Sequence, residues 1–159
     1  ILKSSSAVIP LSNKKSDPML TLNTSKHAQI ETRSIPLVGK IAAGSPIEAV
    51  KEGTDMIVLP ESLLGKGKYF ALTVLGESMI DIGIHEGDIA IIEERSEAAS
   101  GDLVVALIDE SNATLKRLKK TKHAIILESE NKKYGPQIYK KGTEIRIQGI
   151  LSGIIRKYR

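Results

Sequence analysis

The sequence predicts an all-β protein with a partly closed, strongly bent antiparallel barrel-like fold, preceded by a flexible linker. Short runs rich in Val, Ile, Leu and Thr recur along most of the chain, as expected for strands. Two of these runs follow a Gly-Asp turn, at Gly87-Asp88 and Gly101-Asp102, which is typical of short antiparallel strands. The 159 residues are 41% hydrophobic, enough for one core, so one compact domain is expected.

Residues 1–34 form the predicted linker. They contain seven serines and two prolines, and no apolar period is sustained through them. Such a composition buries too little apolar surface to offset the entropy lost on ordering, so we expect a flexible segment. The predicted folded domain is therefore residues 35–159.

The folded part is predicted to begin with an extended apolar piece, Ile35–Ile47, which runs into the small residues Ala43 and Gly44. Small residues allow close approach of the backbone to another surface, although an ordinary turn between strands explains the same residues. One helical turn is predicted at Glu61–Gly67. One strand is predicted before this turn, at Asp55–Pro60. The strands predicted after it are Tyr69–Leu75, Ile89–Glu94, Leu103–Asp109, Thr114–Thr121, Ala124–Ser129 and Glu144–Arg156.

Ser78 is the candidate nucleophile. The apolar run Leu72–Leu75 breaks at Gly76, so Ser78 follows the end of a strand, where protein scaffolds often carry reactive groups. A nucleophile elbow of the α/β-hydrolase kind would need a second glycine two residues later, and Ile80 stands there. A Ser-His-Asp triad is therefore disfavoured.

A serine hydroxyl needs a base to remove its proton. The histidines lie in the linker (His27) or in predicted turns (His85 and His123), where a solvated surface histidine is the simpler interpretation. Lys116 lies in an apolar strand and shares a face with Leu118, so burial can disfavour its charged form. Lys116 is therefore the candidate base, and a solvated surface lysine is the alternative.

The residue types that are absent exclude several kinds of site. The chain has no cysteine, so disulfides and thiolate-metal sites are excluded and a cytoplasmic protein is allowed. Scattered histidines and the lack of an Asp-x-Asp-x-Asp loop argue against a metal site, and we expect no cofactor. No apolar run approaches the length of a membrane span, and the first residues resemble a cut end rather than a signal peptide.

The net charge of +4 is spread unevenly. Residues 35–111 hold five basic and fourteen acidic side chains, whereas residues 112–159 hold thirteen basic and three acidic ones. The two parts can neutralise each other in the fold, whereas a DNA-binding surface needs basic residues clustered on one face. Aromatic residues make up 3% of the chain, which disfavours a module that stacks single-stranded bases on aromatic rings.

Several separated motifs occur between residues 35 and 159: Ala43-Gly44, Gly76-Glu77-Ser78-Met79, Glu86-Gly87-Asp88, Gly101-Asp102-Leu103-Val104-Val105-Ala106 and Ala113-Thr114-Leu115-Lys116-Arg117. In order and spacing they resemble the self-cleaving domain of LexA-type SOS repressors. Because the motifs are several and separated, this resemblance is more specific than a lone Gly-x-Ser. It implies a LexA/signal-peptidase-like fold.

The resemblance also implies a role for each site residue. Ser78 would attack the carbonyl of Ala43, so that the Ala43–Gly44 bond is cut. Lys116 would act first as general base and then as general acid. The backbone amides of Glu77 and Ser78 would stabilise the oxyanion. Neither a metal nor a cofactor would take part.

Partners follow from the same resemblance. RecA filaments on single-stranded DNA would favour cleavage, and the C-terminal domain would form a homodimer. Operator DNA would be bound only through an N-terminal winged helix-turn-helix domain, of which this chain shows no trace. The segment Gly149–Tyr158 resembles the dimer edge of that family, and an interior strand is the alternative.

Two further interpretations stay open. A phage-type repressor or a mutasome subunit of the UmuD kind would share the same catalytic domain. In a non-catalytic β-barrel interaction module, Ser78 and Lys116 would be incidental.

Overall fold

The computed structural model describes residues 29–38, 55–109 and 112–158. Two single-turn 3-10 helices lie in these ranges, at Glu61–Leu63 and Ile80–Ile82. The strands of the described chain are β1 (Thr32–Pro36), β2 (Met56–Pro60), β3 (Tyr69–Thr73), β4 (Ile89–Glu94), β5 (Leu103–Ile108), β6 (Asn112–Lys120), β7 (Ala124–Glu128), β8 (Gln137–Lys140) and β9 (Ile145–Ile155). The predicted all-β class is confirmed.

The strands form two antiparallel sheets. β1 pairs with β2, and the other strands form one sheet in the order β3-β4-β9-β5-β6-β7-β8. β3 and β8 lie at opposite edges of this sheet and do not pair with each other, so the sheet is open. Leu37, just after β1, forms a parallel bridge with Ala71 on β3, which links the two sheets.

The large sheet is strongly bent. Three strands, β4, β9 and β5, lie between β3 and β6. Neighbouring strands are spaced about 4.8 Å apart, so in a flat sheet β3 and β6 would be four such spacings apart and could not touch. Nevertheless, Leu72 on β3 and Leu115 on β6 belong to the same apolar cluster. β9 has register shifts opposite Ile91/Ile92 and opposite Val105/Ala106, and such bulges bend a strand. The bend predicted for the fold is therefore confirmed.

β9 joins the two halves of the large sheet. Its residues Ile145–Ile150 pair with β5, and its residues Gly149–Ile155 pair with β4. The interior-strand alternative is therefore right where the two pairings overlap. Beyond Ile150, β4 is the one sheet partner among the described strands, so the prediction of a dimer edge stays a prediction there.

Three apolar clusters form the core of the described domain. β3 contributes Phe70 and Leu72 to the first cluster and Tyr69 and Ala71 to the second. Because β3 is covered on both faces, its sequence is a continuous apolar run rather than an alternating one. The third cluster lies across β5, β6 and β7 and comprises Val104, Ala106, Ile108, Leu118 and Leu127.

Some strand limits differ from the prediction. β8 is missing from the predicted set because it is a short edge strand with little buried surface, and its Ile138 is 64% exposed. β1 begins at Thr32, three residues before the predicted domain boundary at Ile35. The pairing of Thr32 with Pro60, which the local composition does not reveal, extends the strand. Residues 1–28 of the predicted linker, which include His27, lie outside the described residues.

None of the helices in the described ranges is long and apolar enough to cross a membrane.

Candidate active site

Ser78 lies in the turn that follows β3. The strand ends at Thr73, and Gly76 then has a φ of +72°, a conformation that glycine adopts without steric strain. Met79, the next residue after the serine, is buried in the first core cluster. This anchor holds the half-buried Ser78 at the wall of a cleft, where the break in the apolar run predicts it.

Lys116 projects from β6 into the same cleft. Its side chain is buried, with 7% exposure, and its Nζ donates hydrogen bonds to Thr114 Oγ1 at 3.0 Å and to the Leu115 carbonyl at 3.1 Å. Burial lowers the pKa of Lys116 below its ordinary value of 10.5, because the charged ammonium loses hydration there. Lys116 is thus a buried lysine and not a solvated surface one.

The structure brings Ser78 and Lys116 together. Lys116 Nζ lies 2.8 Å from Ser78 Oγ, which is a hydrogen bond between residues 38 positions apart in the chain. An amine at this distance can take the proton of a hydroxyl when the amine is neutral. The lowered pKa of Lys116 increases the fraction of the side chain in that neutral form.

The cleft around the pair has a volume of about 150 Å³. One wall comes from β3 and the turn after it, and the opposite wall comes from β6. The apolar part of the lining consists of Leu72, Val74, Leu75, Met79, Ala113 and Leu115. These side chains surround the ammonium of Lys116 with mainly apolar surface, which solvates a charge poorly.

The predicted oxyanion donors are the amides of Glu77 and Ser78. Among the described residues, neither of these amides meets a hydrogen-bond acceptor. The carbonyl of Glu77, in contrast, accepts hydrogen bonds from the Ile80 amide at 3.2 Å and from Asn131 Nδ2 at 2.8 Å. The carbonyl side of this turn is therefore fixed, while its amide side is open to a ligand.

The described histidines lie away from the cleft wall. His85 is exposed in the turn before β4, where its backbone amide donates to Asp88 Oδ2 at 2.8 Å. His123 is exposed in the turn between β6 and β7. Neither lines the cleft that holds Ser78. The described part of the chain also contains no group of three or more His, Asp or Glu side chains that could hold a metal ion.

The predicted cleavage bond, Ala43–Gly44, lies outside the described residues. The described chain before it ends at Val38, whose amide donates to the Ala71 carbonyl of β3 at 2.7 Å. Val38 also packs against the first core cluster, to which Leu72 and Met79 belong. Val38, the last described residue before this bond, therefore lies beside β3, the strand that leads into the Ser78 turn.

Asn131 is a site residue that the sequence does not predict. It is buried after β7 and contacts the Ser78 turn through the carbonyl of Glu77, 54 positions earlier in the chain. No local pattern marks it, because Asn131 lies within the polar run Ser-Glu-Asn-Lys, which is typical of an exposed turn. Only the pairing of β6 with β7 brings it to the site.

Comparison with known proteins places the chain in a family. Residues 36–152 match the family model described as Peptidase S24-like. A LexA repressor of Gluconobacter oxydans (strain 621H) is 49% identical over 128 residues, which cover 80% of this chain and 53% of that relative. The chain thus spans about half the length of this curated relative.

Proposed function

Because the chain belongs to the Peptidase S24-like family, and within it to the LexA-type repressors, we propose that it inactivates itself by autoproteolysis. Ser78 is the nucleophile and Lys116 the base, and the bond cut is Ala43–Gly44. The observation that carries this proposal is the 2.8 Å contact between Lys116 Nζ and Ser78 Oγ, with the lysine buried in an apolar cleft. A buried amine beside a hydroxyl is the arrangement that a serine peptidase without histidine needs.

The reaction begins with neutral Lys116, which takes the proton of Ser78 as Oγ attacks the carbonyl carbon of Ala43. The oxyanion that forms accepts hydrogen bonds from the amides of Glu77 and Ser78. As the bond breaks, the ammonium of Lys116 gives its proton to the departing amine of Gly44. Ser78 then holds Ala43 as an ester. Water, deprotonated by Lys116, releases this ester and regenerates the serine.

Thr114 and the Leu115 carbonyl prepare the base for both steps. Together with Ser78 Oγ they give Nζ three acceptors, which match the three N–H groups of an ammonium. When Lys116 is neutral, its lone pair replaces one N–H and can point at the hydroxyl of Ser78. The same three contacts therefore hold the lysine in place before and after proton transfer.

Control of the reaction is conformational in this proposal. The substrate bond belongs to the same chain, and Ala43 is five residues beyond Val38, a span of at most about 18 Å. A segment of that length can lie in the cleft or away from it. RecA filaments on single-stranded DNA would favour the docked form, whose burial of Lys116 further raises the neutral fraction.

The biological role proposed for the parent protein is that of a cytoplasmic repressor of the SOS response to DNA damage. Operator DNA would be bound through an N-terminal winged helix-turn-helix domain, since the described residues contain no α-helix that could enter a groove. The S24-like domain would supply the homodimer contact, and cleavage would separate the two functions. The weaker operator binding that follows would release DNA-repair genes from repression.

Intact-mass measurement after incubation with RecA filaments tests the proposed function. We expect two products, residues 1–43 and 44–159, and we expect neither from Gly44→Glu, whose side chain prevents close approach to the cleft. A wild-type chain that stays intact, or is cut at another bond, would contradict the assignment. An intact chain would favour the non-catalytic interaction module.

Sedimentation tests the homodimer. Residues 29–159 should sediment as a dimer at micromolar concentration, and a monomer at that concentration would remove this part of the proposal.

A further inference from the structure

The segment after β7, residues 129–133, contacts the Ser78 turn. We call it the bracing segment. The Glu130 carbonyl accepts a hydrogen bond from the Asp81 amide at 2.8 Å, and the Lys132 amide donates to Asp81 Oδ2 at 3.0 Å. Asn131 Nδ2 donates to the Glu77 carbonyl at 2.8 Å. Three hydrogen bonds thus join this segment to the residues on both sides of Ser78.

The bracing segment is also tied to the strand that carries the base. The carboxylate of Glu130 forms an ion pair with Arg117 Nε, and Arg117 is the neighbour of Lys116 on β6. Arg117 also donates to the Gly101 carbonyl at 2.7 Å, which fixes its position. The segment therefore connects the part of the chain that holds Ser78 with the part that holds Lys116.

Asn131 is the buried member of this segment, with 6% exposure, and both ends of its side chain are used. Nδ2 donates to the Glu77 carbonyl, and Oδ1 accepts from the Lys133 amide at 3.0 Å. The Lys133 contact fixes the side chain on its own segment. A buried amide held at both ends has a defined orientation, so it can fix the orientation of its partner.

Its partner is the peptide unit that joins Glu77 to Ser78. A trans peptide is planar, so the carbonyl of Glu77 and the amide of Ser78 point in opposite directions in one plane. Asn131 and the Ile80 amide both bind the carbonyl end of this plane. The opposite end is the Ser78 amide, which meets no acceptor among the described residues.

We propose that Asn131 is a positioning residue that aims the backbone amide of Ser78 at the oxyanion of the reaction. This inference rests on the proposed function only in taking Ser78 as the nucleophile. By donating to the Glu77 carbonyl, Asn131 fixes the plane of the peptide and also polarises it, which makes the Ser78 N–H a better donor. Oxyanion donors act only when they are preorganised toward the developing charge.

The test compares Asn131→Ala and Asn131→Asp with the wild type in a series of self-cleavage rates against pH. Removal of a whole oxyanion donor costs about 100- to 1,000-fold in rate, and here the donor stays but is less well aimed. We therefore expect a loss of about 10- to 100-fold at every pH. The pH midpoint of Asn131→Ala should equal that of the wild type, because this change adds no charge near Lys116.

The two variants separate the two contacts of the side chain. Asn131→Asp keeps an oxygen for the Lys133 amide but loses the donor to Glu77, whereas Asn131→Ala loses both contacts. If the Glu77 contact matters, both variants are slow. A wild-type rate in Asn131→Asp would overturn the proposal. So would a shifted pH midpoint with an unchanged plateau rate in Asn131→Ala, since that would place the effect on Lys116.

A stability control is available in the third core cluster. Ile108→Val should lower the unfolding temperature by a few degrees and leave the cleavage rate unchanged, because Ile108 is buried in that cluster and does not line the cleft. Thermal unfolding of all variants shows whether they are folded at the assay temperature. Loss of the folded state in both Asn131 variants would overturn the proposal, because the role would then be structural alone.

Labelling of Ser78 by a fluorophosphonate separates this inference from the proposed function. Ser78 Oγ displaces fluoride, and the oxygen on phosphorus occupies the oxyanion position, so no cleavage segment is needed. Slower labelling of Asn131→Ala than of the wild type by at least about tenfold supports the inference, even if the chain does not cut itself. Equal labelling of both proteins would overturn it while leaving self-cleavage intact. A wild type that neither cleaves nor is labelled would overturn both.

Discussion

Arg156 binds the buried carboxylate of Asp88 through two nitrogens, with Nε to Oδ1 and Nη2 to Oδ2 both at 2.6 Å, across 68 residues of sequence. Asp88 directly precedes β4 and Arg156 directly follows β9, so the pair joins two neighbouring strands at one end. The hydrogen bonds from Arg156 lower the pKa of Asp88 to about 2, against the unfavourable effect of burial, and the same contact raises the pKa of Arg156.

Asp88→Asn should lower the free energy of unfolding at neutral pH by about 2 kcal/mol, because a buried, charge-assisted contact is lost. The carboxylate titrates at about 2 in the folded state and near 3.8 when unfolded, so its stabilisation is present above pH 3.8 and is lost as pH falls toward 2. Urea unfolding of both proteins at pH 7 and pH 3 measures this. The difference between them should shrink at pH 3.

The control for this prediction is Glu144→Gln, which breaks an exposed ion pair with Arg146 on β9. Exposed pairs contribute little, so the unfolding free energy should change by less than about 0.5 kcal/mol. Equal effects of Asp88→Asn at both pH values would contradict the assigned role of the Asp88 carboxylate.

Ser78→Ala and Lys116→Ala should each reduce self-cleavage by more than about a thousandfold, because each removes a reacting group. Both proteins should remain folded, since neither change opens a large apolar cavity. Lys119→Ala is the matched control: this lysine lies on the same strand, but its side chain is 58% exposed. Its rate should equal that of the wild type. Cleavage of Lys116→Ala at the wild-type rate would exclude the lysine base.

Spontaneous cleavage should accelerate as pH rises and should level off below pH 10.5. The charged form of Lys116 is inactive as a base, and burial lowers its pKa below that ordinary value. Rates measured on the wild type without RecA, from neutral to alkaline pH, provide the profile. A rate independent of pH, or a midpoint at or above 10.5, would contradict a desolvated lysine base.

The same titration affects stability in a direction that can be checked. Above pH 10.5 the lysine is neutral in both states, and its burial carries no charge penalty. As pH falls toward the folded-state pKa, the unfolded chain binds the proton more readily, so this residue contributes progressively less stability. The wild type should therefore lose stability relative to Lys116→Met as pH falls through this range. Urea midpoints of the two proteins at several pH values measure the difference.

Gly149 and Gly153 on β9 offer a matched pair of substitutions. A Cβ at Gly149 would lie 2.4 Å from the Glu93 carbonyl oxygen and 2.4 Å from Ile92 Cγ2, whereas a Cβ at Gly153 would meet no atom within 4 Å. Gly149→Ala should therefore cost about 3 kcal/mol of unfolding free energy, because the backbone of β4 must shift. Gly153→Ala should change it by less than about 1 kcal/mol. Denaturant midpoints that fall equally would contradict this difference.

Sequence patterns predicted the buried strands of this fold because burial is recorded in residue type. The run at Ile89–Ile92 and the run at Leu103–Ile108 are apolar since both lie inside the sheet. The sequence of β8 shows no apolar run, because its side chains are largely exposed and the strand is held by backbone hydrogen bonds to β7.

The site was predictable in the same uneven way. Ser78 follows a visible break at Gly76, and Lys116 interrupts an apolar strand, so both carry a local signal. Their contact depends on the bend of the sheet, which no local pattern encodes. The pairing of Ser78 with Lys116 was therefore predicted from the family resemblance. Asn131 had neither signal, because its role depends on a contact with one backbone carbonyl that only the folded chain forms.

The position of β9 in the sequence determines when, during translation, the two halves of the large sheet can be joined. β3 and β4, which lead into and out of the Ser78 turn, are joined to β5 and β6, which position Lys116, through the strand that the ribosome makes after all the other described strands. A nascent chain that ends before Ile145 contains both reactive residues but lacks the strand that joins their two halves of the sheet. If the chain cuts itself as proposed, we therefore expect no self-cleavage of the growing polypeptide until β9 has been made.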